Sequence, residues 1–366
     1  MDIREIDHVE FFVGDARQAA FVLCTAFGFR IRGHGGPETG LAGQRSLLVT
    51  QGASRILLTS ALSADHPASD YVARHGDGVA VIALATDDVV NAYAESVAAG
   101  ATAIEAPRVY EGHGTAVTVA TVSGFGDVHH RLVERGGSEL EFLPGAIEML
   151  DPPSDSEPQP ADILSAIDHA AFCVAAGDLE STVIYYQKVF GFKLIFEEYI
   201  EIGEQGMFSQ VVQSRSGGVT FTLIQPDMSR RPGQIDDFLS WHGGPGVQHL
   251  ALNATDIVAA VGELAGRGVE FGFTPDSYYE MLTDRLGPTD LPVERLSPLG
   301  ILVDRDHWGQ MYQIFAKSMH IRRTYFWELI ERHGARTFGT SNIPALYAAK
   351  ERELAAVRGG SAAGMP

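Results

Sequence analysis

Residues 166–194 read AIDHAAFCVAAGDLESTVIYYQKVFGFKL, and residues 5–31 read EIDHVEFFVGDARQAAFVLCTAFGFRI. The two stretches match from Ile-Asp-His through to Phe-Gly-Phe. Each opens on an apolar strand, turns at Gly-Asp and continues as an amphipathic helix. A second pair follows: GDGVAVIALATDDVVNAYAESVAAGA over 76–101 and GPGVQHLALNATDIVAAVGELAGRGV over 244–269. Both read as a strand, an aspartate cap, a helix and a glycine stop. Such self-similarity means one structural plan used twice. Each half therefore holds two βα-type units followed by further strands. Those strands are expected near 46–60, 116–123 and 127–134 in the first half, and near 194–201, 207–213, 219–225 and 310–316 in the second.

Between the halves, DPPSDSEPQPADI (151–163) is rich in Pro, Ser and Asp and reads as a linker. It separates an N-terminal domain, 1–150, from a C-terminal domain, 164–366. The second domain ends in a tail helix, SNIPALYAAKERELAAVRG, which Ser341 or Asn342 can cap and whose first turn tolerates Pro344. Disorder is expected after Gly359.

The chain has 366 residues, of which 45% are hydrophobic and 20% charged, as in a soluble globular protein of two domains. With 27 basic and 47 acidic side chains its formal charge is −20, which argues against nucleic acid and anionic membrane as partners. No apolar run reaches the ~20 residues that span a bilayer. The charged opening MDIREIDHVEFFV is no signal peptide, so a cytoplasmic protein is expected. Cys24 and Cys173 both lie in apolar stretches and read as buried free thiols.

Three residues carry the chemistry. His169 lies in the first strand of the second half, His249 in the strand of 244–269, and Glu328 in FWELIER (326–332). Taken singly, His169 reads as a satisfied core histidine, and the first half keeps His8 in its place. Glu328 alone reads as the outward residue of an alternating strand. His249 says more, because the first half has Ala80-Val81 where the second has Gln248-His249. Buried polar residues are costly without partners, so their presence in one half only assigns the site to that half. Two imidazoles, one carboxylate and no thiolate suit a mononuclear Fe(II) site rather than structural zinc. His129 and His130 would suggest a second metal, but Val81 and the lack of a matching glutamate speak against one.

This pattern resembles the vicinal oxygen chelate fold, an α+β arrangement of paired βαβββ modules that curl a sheet around a metal. Within it the chain, over residues ~5–355, is similar to the 4-hydroxyphenylpyruvate dioxygenase and 4-hydroxymandelate synthase family. The resemblance implies Fe(II) held by His169, His249 and Glu328, with 4-hydroxyphenylpyruvate and O₂ as substrates. It implies that Ser209, Gln248 and Gln313 act at the reacting centre, and that Gln234, Thr222, Ile224, Phe338, Asn342 and Ile343 contact the substrate. The tail helix would serve as a lid, the first domain as a metal-free support, and the assembly would be a homodimer or homotetramer.

The family divides on the carbon that is oxidised. Dioxygenases typically carry Pro-x-Asn before the segment holding Gln234, and Gly-Asn-Phe at the start of the tail helix. Here the residues are Thr222-Leu223-Ile224 and Ser341-Asn342-Ile343. Thr222, Ile224 and Ile343 follow the synthase pattern, which implies benzylic hydroxylation rather than ring oxidation to homogentisate. Two other classes stay open from residues alone. An extradiol catechol dioxygenase would share the fold and ligands, and a metal-free binding protein would share the fold only.

Overall fold

The computed structural model describes residues 1–112, 114–137, 141–150, 162–339 and 341–349. In the first half the order is β1 (Ile3–Phe12), α1 (Ala16–Phe27), β2 (Arg30–Gly35), β3 (Gln44–Gln51), β4 (Ser54–Ala61), α2 (Pro67–His75), β5 (Gly78–Thr86), α3 (Val89–Ala98), β6 (Ala103–Glu111), β7 (Thr115–Phe125), β8 (Val128–Gly137) and β9 (Glu148–Met149). The second half runs β10 (Leu164–Cys173), α4 (Leu179–Phe190), β11 (Lys193–Ile202), β12 (Gln205–Gln213), β13 (Thr220–Pro226), α5 (Gln234–His242), β14 (Gly246–Ala254) and α6 (Ile257–Gly266). Three short helices follow, α7 (Asp276–Glu280), α8 (Leu282–Leu286) and α9 (Val293–Leu296), then β15 (Leu302–Arg305), β16 (Gln310–Phe315) and β17 (Phe326–His333).

The repeated local signals explain the repeated elements. Asp15, Asp88 and Asp256 each accept backbone N–H groups at the start of a helix, which satisfies donors with no partner inside it. Gly28 ends α1 at φ 78°, a left-handed conformation that a side chain would oppose.

Each half forms one sheet, ordered β6-β7-β8-β5-β1-β4-β3-β2-β9 and β11-β12-β13-β10-β14-β17-β16-β15. Two modules meet at the antiparallel pairs β1–β5 and β10–β14. Within each module the first and last strands run parallel, as in β1–β4, β5–β8, β10–β13 and β14–β17. The result is two tandem curled half-barrels, the α+β vicinal oxygen chelate plan. Helices cover the outer faces, and β5 is buried along its whole length.

Several elements depart from the expectation. The strand foreseen at 46–60 is two strands, β3 and β4, broken at Gly52 (φ 53°). β2, β6, β15, α2 and α5 were not foreseen. β6 is an edge strand exposed on most of its length, so it lacks an alternating pattern. At α7–α9 the second half departs from the repeat, inserting three short helices between α6 and β15, the edge strand that takes the place of β6. The segment 342–349 is helical, and the remainder of the expected tail helix lies outside the described residues, as does most of the linker.

Candidate metal centre

Pairing across three adjacent strands places the donors. His169 of β10 lies opposite Ala251 of β14, and Ala251 lies opposite Glu328 of β17. His249, two residues before Ala251, shares its face of the sheet. The small Ala251 side chain between His169 and Glu328 leaves room for the donors to converge. His169 Nε2 lies 3.4 Å from Glu328 Oε2, and His249 Nε2 lies 3.3 Å from the same oxygen. All three ligand atoms fall within 4.8 Å of one another. Donors about 2.1 Å from one ion, at the angles of octahedral to tetrahedral coordination, would sit roughly 3.0–3.4 Å apart, so both distances to Glu328 fit. The residues are 3%, 8% and 2% exposed. Among the described residues this is the one cluster able to hold a metal ion.

Neighbouring groups orient both rings. His169 Nδ1 donates to Asp168 Oδ1 at 2.8 Å, and His249 Nδ1 donates to Gln248 Oε1 at 3.1 Å. Each Nε2 is thereby turned inward, as metal-ligating imidazoles require. Asp168 is gripped by the Arg332 fork through Nε and Nη2, both at 2.8 Å. Burial lowers the His169 ring's affinity for a proton, but Asp168 and Glu328 outweigh it and push its pKa to about 9. Burial raises the Glu328 carboxyl, and the two histidines outweigh that, holding it at about 2. Without metal, a proton on His169 supplies the positive charge the cluster is built around. A divalent ion would take its place.

The other expected residues lie on neighbouring strands and segments. Thr222 and Ile224 lie on β13 beside β10, and Ser209 pairs with Ile224 from β12. Ile224 and Ile343 belong to one apolar cluster with Cys173, Ile235 and Phe238. Gln313 is 1% exposed and its Oε1 is buried without a partner, as is the Thr222 hydroxyl. Gly339, at φ 72°, lies against the Gln313 amide, and any side chain there would collide with it. Phe338 stands edge-on to His169 at 5.2 Å, under the Arg332 guanidinium. Gln234 and Gln248 line a cleft of about 700 Å³ with Phe238, Phe315 and Phe326.

Asn342 divides its amide, and its Nδ2 is buried without a partner. Its Oδ1 accepts the Tyr278 hydroxyl at 2.6 Å and an Arg285 N–H at 3.3 Å. It thus anchors the start of the tail helix to α7 and α8. Ser341 likewise spends its hydroxyl on Asp304 at 2.5 Å rather than on a helix cap.

Asp168, Arg332, Ala251 and Phe326, which stacks on His249 at 5.1 Å, were not singled out from sequence. The repeat carried the signal for two of them. In the first half Arg135 grips Asp7 through Nε and Nη2 at 2.6 and 2.7 Å, Asp7 holds His8, and Arg135 lies over Phe142. The same fork therefore exists where no ligand trio does. There Val81 replaces His249 and Arg131 replaces Glu328, and Arg131 pairs with buried Glu10 at 2.7 Å. His130 is occupied by Ile82 O and the Tyr186 hydroxyl.

Burial acts to raise the Asp7 carboxyl, but Arg135 and His8 outweigh it and hold it well below the usual carboxylate range. Its stabilising contribution is therefore present above pH about 4, where the unfolded side chain ionises, and declines as pH falls further. Urea unfolding of metal-free protein should show stability falling below pH about 4, with Asp7 contributing up to about 1.4 kcal/mol per pH unit. Asp7→Asn should be less stable at neutral pH and show a shallower fall. Parallel pH curves for the two proteins would contradict this.

Two curled half-barrels, one of them carrying a buried trio of two imidazoles and a carboxylate, define the class. The family model for the Glyoxalase/Bleomycin resistance protein/Dioxygenase superfamily matches residues 5–125 and 166–286, once in each half. The 4-hydroxyphenylpyruvate dioxygenase of Yarrowia lipolytica is 32% identical, with 96% of this chain and 92% of that protein covered. The enzyme of the same name from Dictyostelium discoideum is 34% identical, covering 95% and 97%. A substituted variant of 4-hydroxymandelate synthase from Streptomyces coelicolor, of known structure, is 42% identical, covers 96% of this chain and 99% of its own, and superposes with a TM-score of 0.85. The chain belongs to the 4-hydroxyphenylpyruvate dioxygenase family of that superfamily.

Proposed function

We propose that the chain is an Fe(II)-dependent 4-hydroxymandelate synthase, converting 4-hydroxyphenylpyruvate and O₂ to 4-hydroxymandelate and CO₂. The observation that carries this is the apolar wall formed by Ile224 and Ile343, with Ile224 opposite Cys173 of β10, the strand that carries His169. Dioxygenases that make homogentisate typically place asparagine and phenylalanine at these two positions. An amide would offer hydrogen bonds to the ring, and a phenylalanine would fill the space that a turned ring needs.

Held by His169, His249 and Glu328, Fe(II) would bind the 2-oxo acid and activate O₂. The protein's own part is placement. Gln248 keeps the His249 Nδ1 proton in place, and Asp168 does so for His169. The unpartnered Gln313 Oε1 and Thr222 hydroxyl supply polar contacts that protein groups leave unused. Ser209 and Gln234 complete the polar contacts, and Phe338 covers the ring edge. The helical segment 342–349, anchored through Asn342, closes the site against water. With this role go a dimeric or tetrameric assembly, a cytoplasmic location and supply of 4-hydroxyphenylglycine for peptide antibiotics. Among the described residues no helix is long and apolar enough to cross a membrane.

The test is anaerobic loading with Fe(II), then 4-hydroxyphenylpyruvate and air, with products separated and weighed by mass spectrometry. The expected product is 4-hydroxymandelate. Homogentisate would overturn the assignment in favour of the dioxygenase reaction named for the curated relatives. Ile224→Asn combined with Ile343→Phe should move product toward ring oxidation. An unchanged product would mean that these positions do not set the outcome.

A further inference from the structure

The two halves meet at a pair of histidines, each the last residue of its helix: His75 of α2 and His242 of α5. Both are buried, and their rings stack at 4.2 Å. His75 has a partner at each ring nitrogen. Nδ1 lies 2.6 Å from the carbonyl oxygen of His242, and Nε2 lies 2.8 Å from Asp127 Oδ2 in the turn between β7 and β8. Both partners are acceptors, so for both bonds to form each nitrogen must donate and the ring is an imidazolium. Asp127 also accepts from Arg74. Tyr71, whose ring lies 4.7 Å from that of His75, spends its hydroxyl on Val79 O. His242 donates Nδ1 to Gly244 O at 2.9 Å, and burial, then His75, push its pKa down to about 4, so it stays neutral.

This pair supports the cleft beside the metal centre. α5 contributes Gln234, Phe238 and Trp241 to the cleft wall. Phe238 stacks on the far side chain of the pair, 5.1 Å from the His242 ring. The same ring occupies the space that a Cβ on Gly246 would need, at the head of the strand that carries His249. The end of α2 also holds a second lining segment, because Arg322 donates to the carbonyls of Arg74 at 2.7 Å and Ala73 at 3.4 Å. Its neighbour Arg323 lines the cleft and lies over the Trp241 ring at 5.9 Å.

We propose that His75, from the half that carries no ligand trio, is a positioning residue for the substrate cleft: its ring ties Asp127 to the end of α5 and so fixes where Gln234 and Phe238 stand. A cleft whose wall is already ordered spares its ligand the cost of ordering it, so the tie acts on affinity. The inference rests on the reading of this cleft as the place where 4-hydroxyphenylpyruvate binds. It does not depend on which carbon is oxidised.

His75→Phe keeps a ring to stack on His242 and removes both hydrogen bonds. In hydrogen exchange of the full chain, the amides of 238–242 should exchange about tenfold faster than in the parent protein, with the strands of both sheets unchanged. With Fe(II) loaded and air excluded, calorimetric titration should show the dissociation constant of 4-hydroxyphenylpyruvate raised about tenfold, with iron per protein unchanged. In air the loss should fall on KM, with kcat within about twofold of the parent. Tyr186→Phe is the control. It removes another bond between the halves, from the Tyr186 hydroxyl to His130 Nε2 at 2.8 Å, and neither residue lines the cleft. It should leave both the exchange of α5 and the affinity as they are. Asp127→Asn, at a partly exposed position that keeps an acceptor for Nε2, should move both readings in the direction of His75→Phe by a smaller factor, and decides the matter should His75→Phe fail to fold. Unchanged exchange in α5, exchange raised uniformly along the chain, or unchanged affinity would overturn the proposal. A parent protein that does not bind 4-hydroxyphenylpyruvate would overturn the functional reading instead, and the exchange result would still decide whether His75 holds α5.

Discussion

His249→Ala should lose Fe(II) and turnover together. The ring is 8% exposed and its Nε2 lies 3.3 Å from Glu328 Oε2, so no other side chain takes its place when it is removed. Loss of an orienting partner alone costs about 10–100-fold in metal affinity, and loss of the ligand itself should cost at least the upper figure. Iron retained after desalting, measured as a molar ratio to protein, should fall from near one to near zero, and product formation should fall with it. The effect belongs to the site and not to the fold. Alanine at this position leaves β14 paired as before, since its backbone bonds do not involve the ring. The apo variant should therefore keep its circular dichroism spectrum. Full iron occupancy in His249→Ala would sink the ligand assignment.

The placement of His249 was legible because the repeat supplied an internal comparison. Where Val81 stands in one half and His249 in the other, both positions are buried and the polarity differs. Paired halves and the converging strands followed from the same alignment. What stayed hidden was of two kinds. Edge strand β6 and the nine-residue helices α2 and α5 have patterns too short or too exposed to show a period. Contacts between residues far apart in sequence leave no local mark at all. The Arg332–Asp168 fork spans 164 positions, and only its echo in the first half, Arg135 with Asp7, marks it in the sequence. The anchoring of Asn342 was hidden for the same reason. Its partners, Tyr278 and Arg285, lie on helices that the repeat did not forecast.

Arg332→Ala should damage both stability and metal binding, and the first half of the chain supplies the control that separates them. The Arg332 fork holds Asp168, which holds His169. Its Nη1 also donates to the carbonyls of Thr337 at 2.7 Å and Ala335 at 3.2 Å, and its plane lies over Phe338. One guanidinium therefore joins the carboxylate that orients His169 to the segment that leads into the helix at 342–349. Removing it strands a largely buried carboxylate, a loss of about 3 kcal/mol at the low end for such pairs because Arg332 is partly exposed. Metal affinity should fall about 10–100-fold as His169 loses its fixed orientation. Lysine should not rescue it, since an ammonium cannot make the two parallel bonds. Arg135→Ala breaks the same fork in the first half, where Asp7 holds His8 and Arg135 donates to Phe142 O. It should cost comparable stability in urea unfolding and leave iron affinity unchanged, because no ligand trio depends on it. Equal loss of iron in both variants would mean that the second fork acts only through global stability. Loss in Arg332→Ala alone assigns it the task of aiming His169.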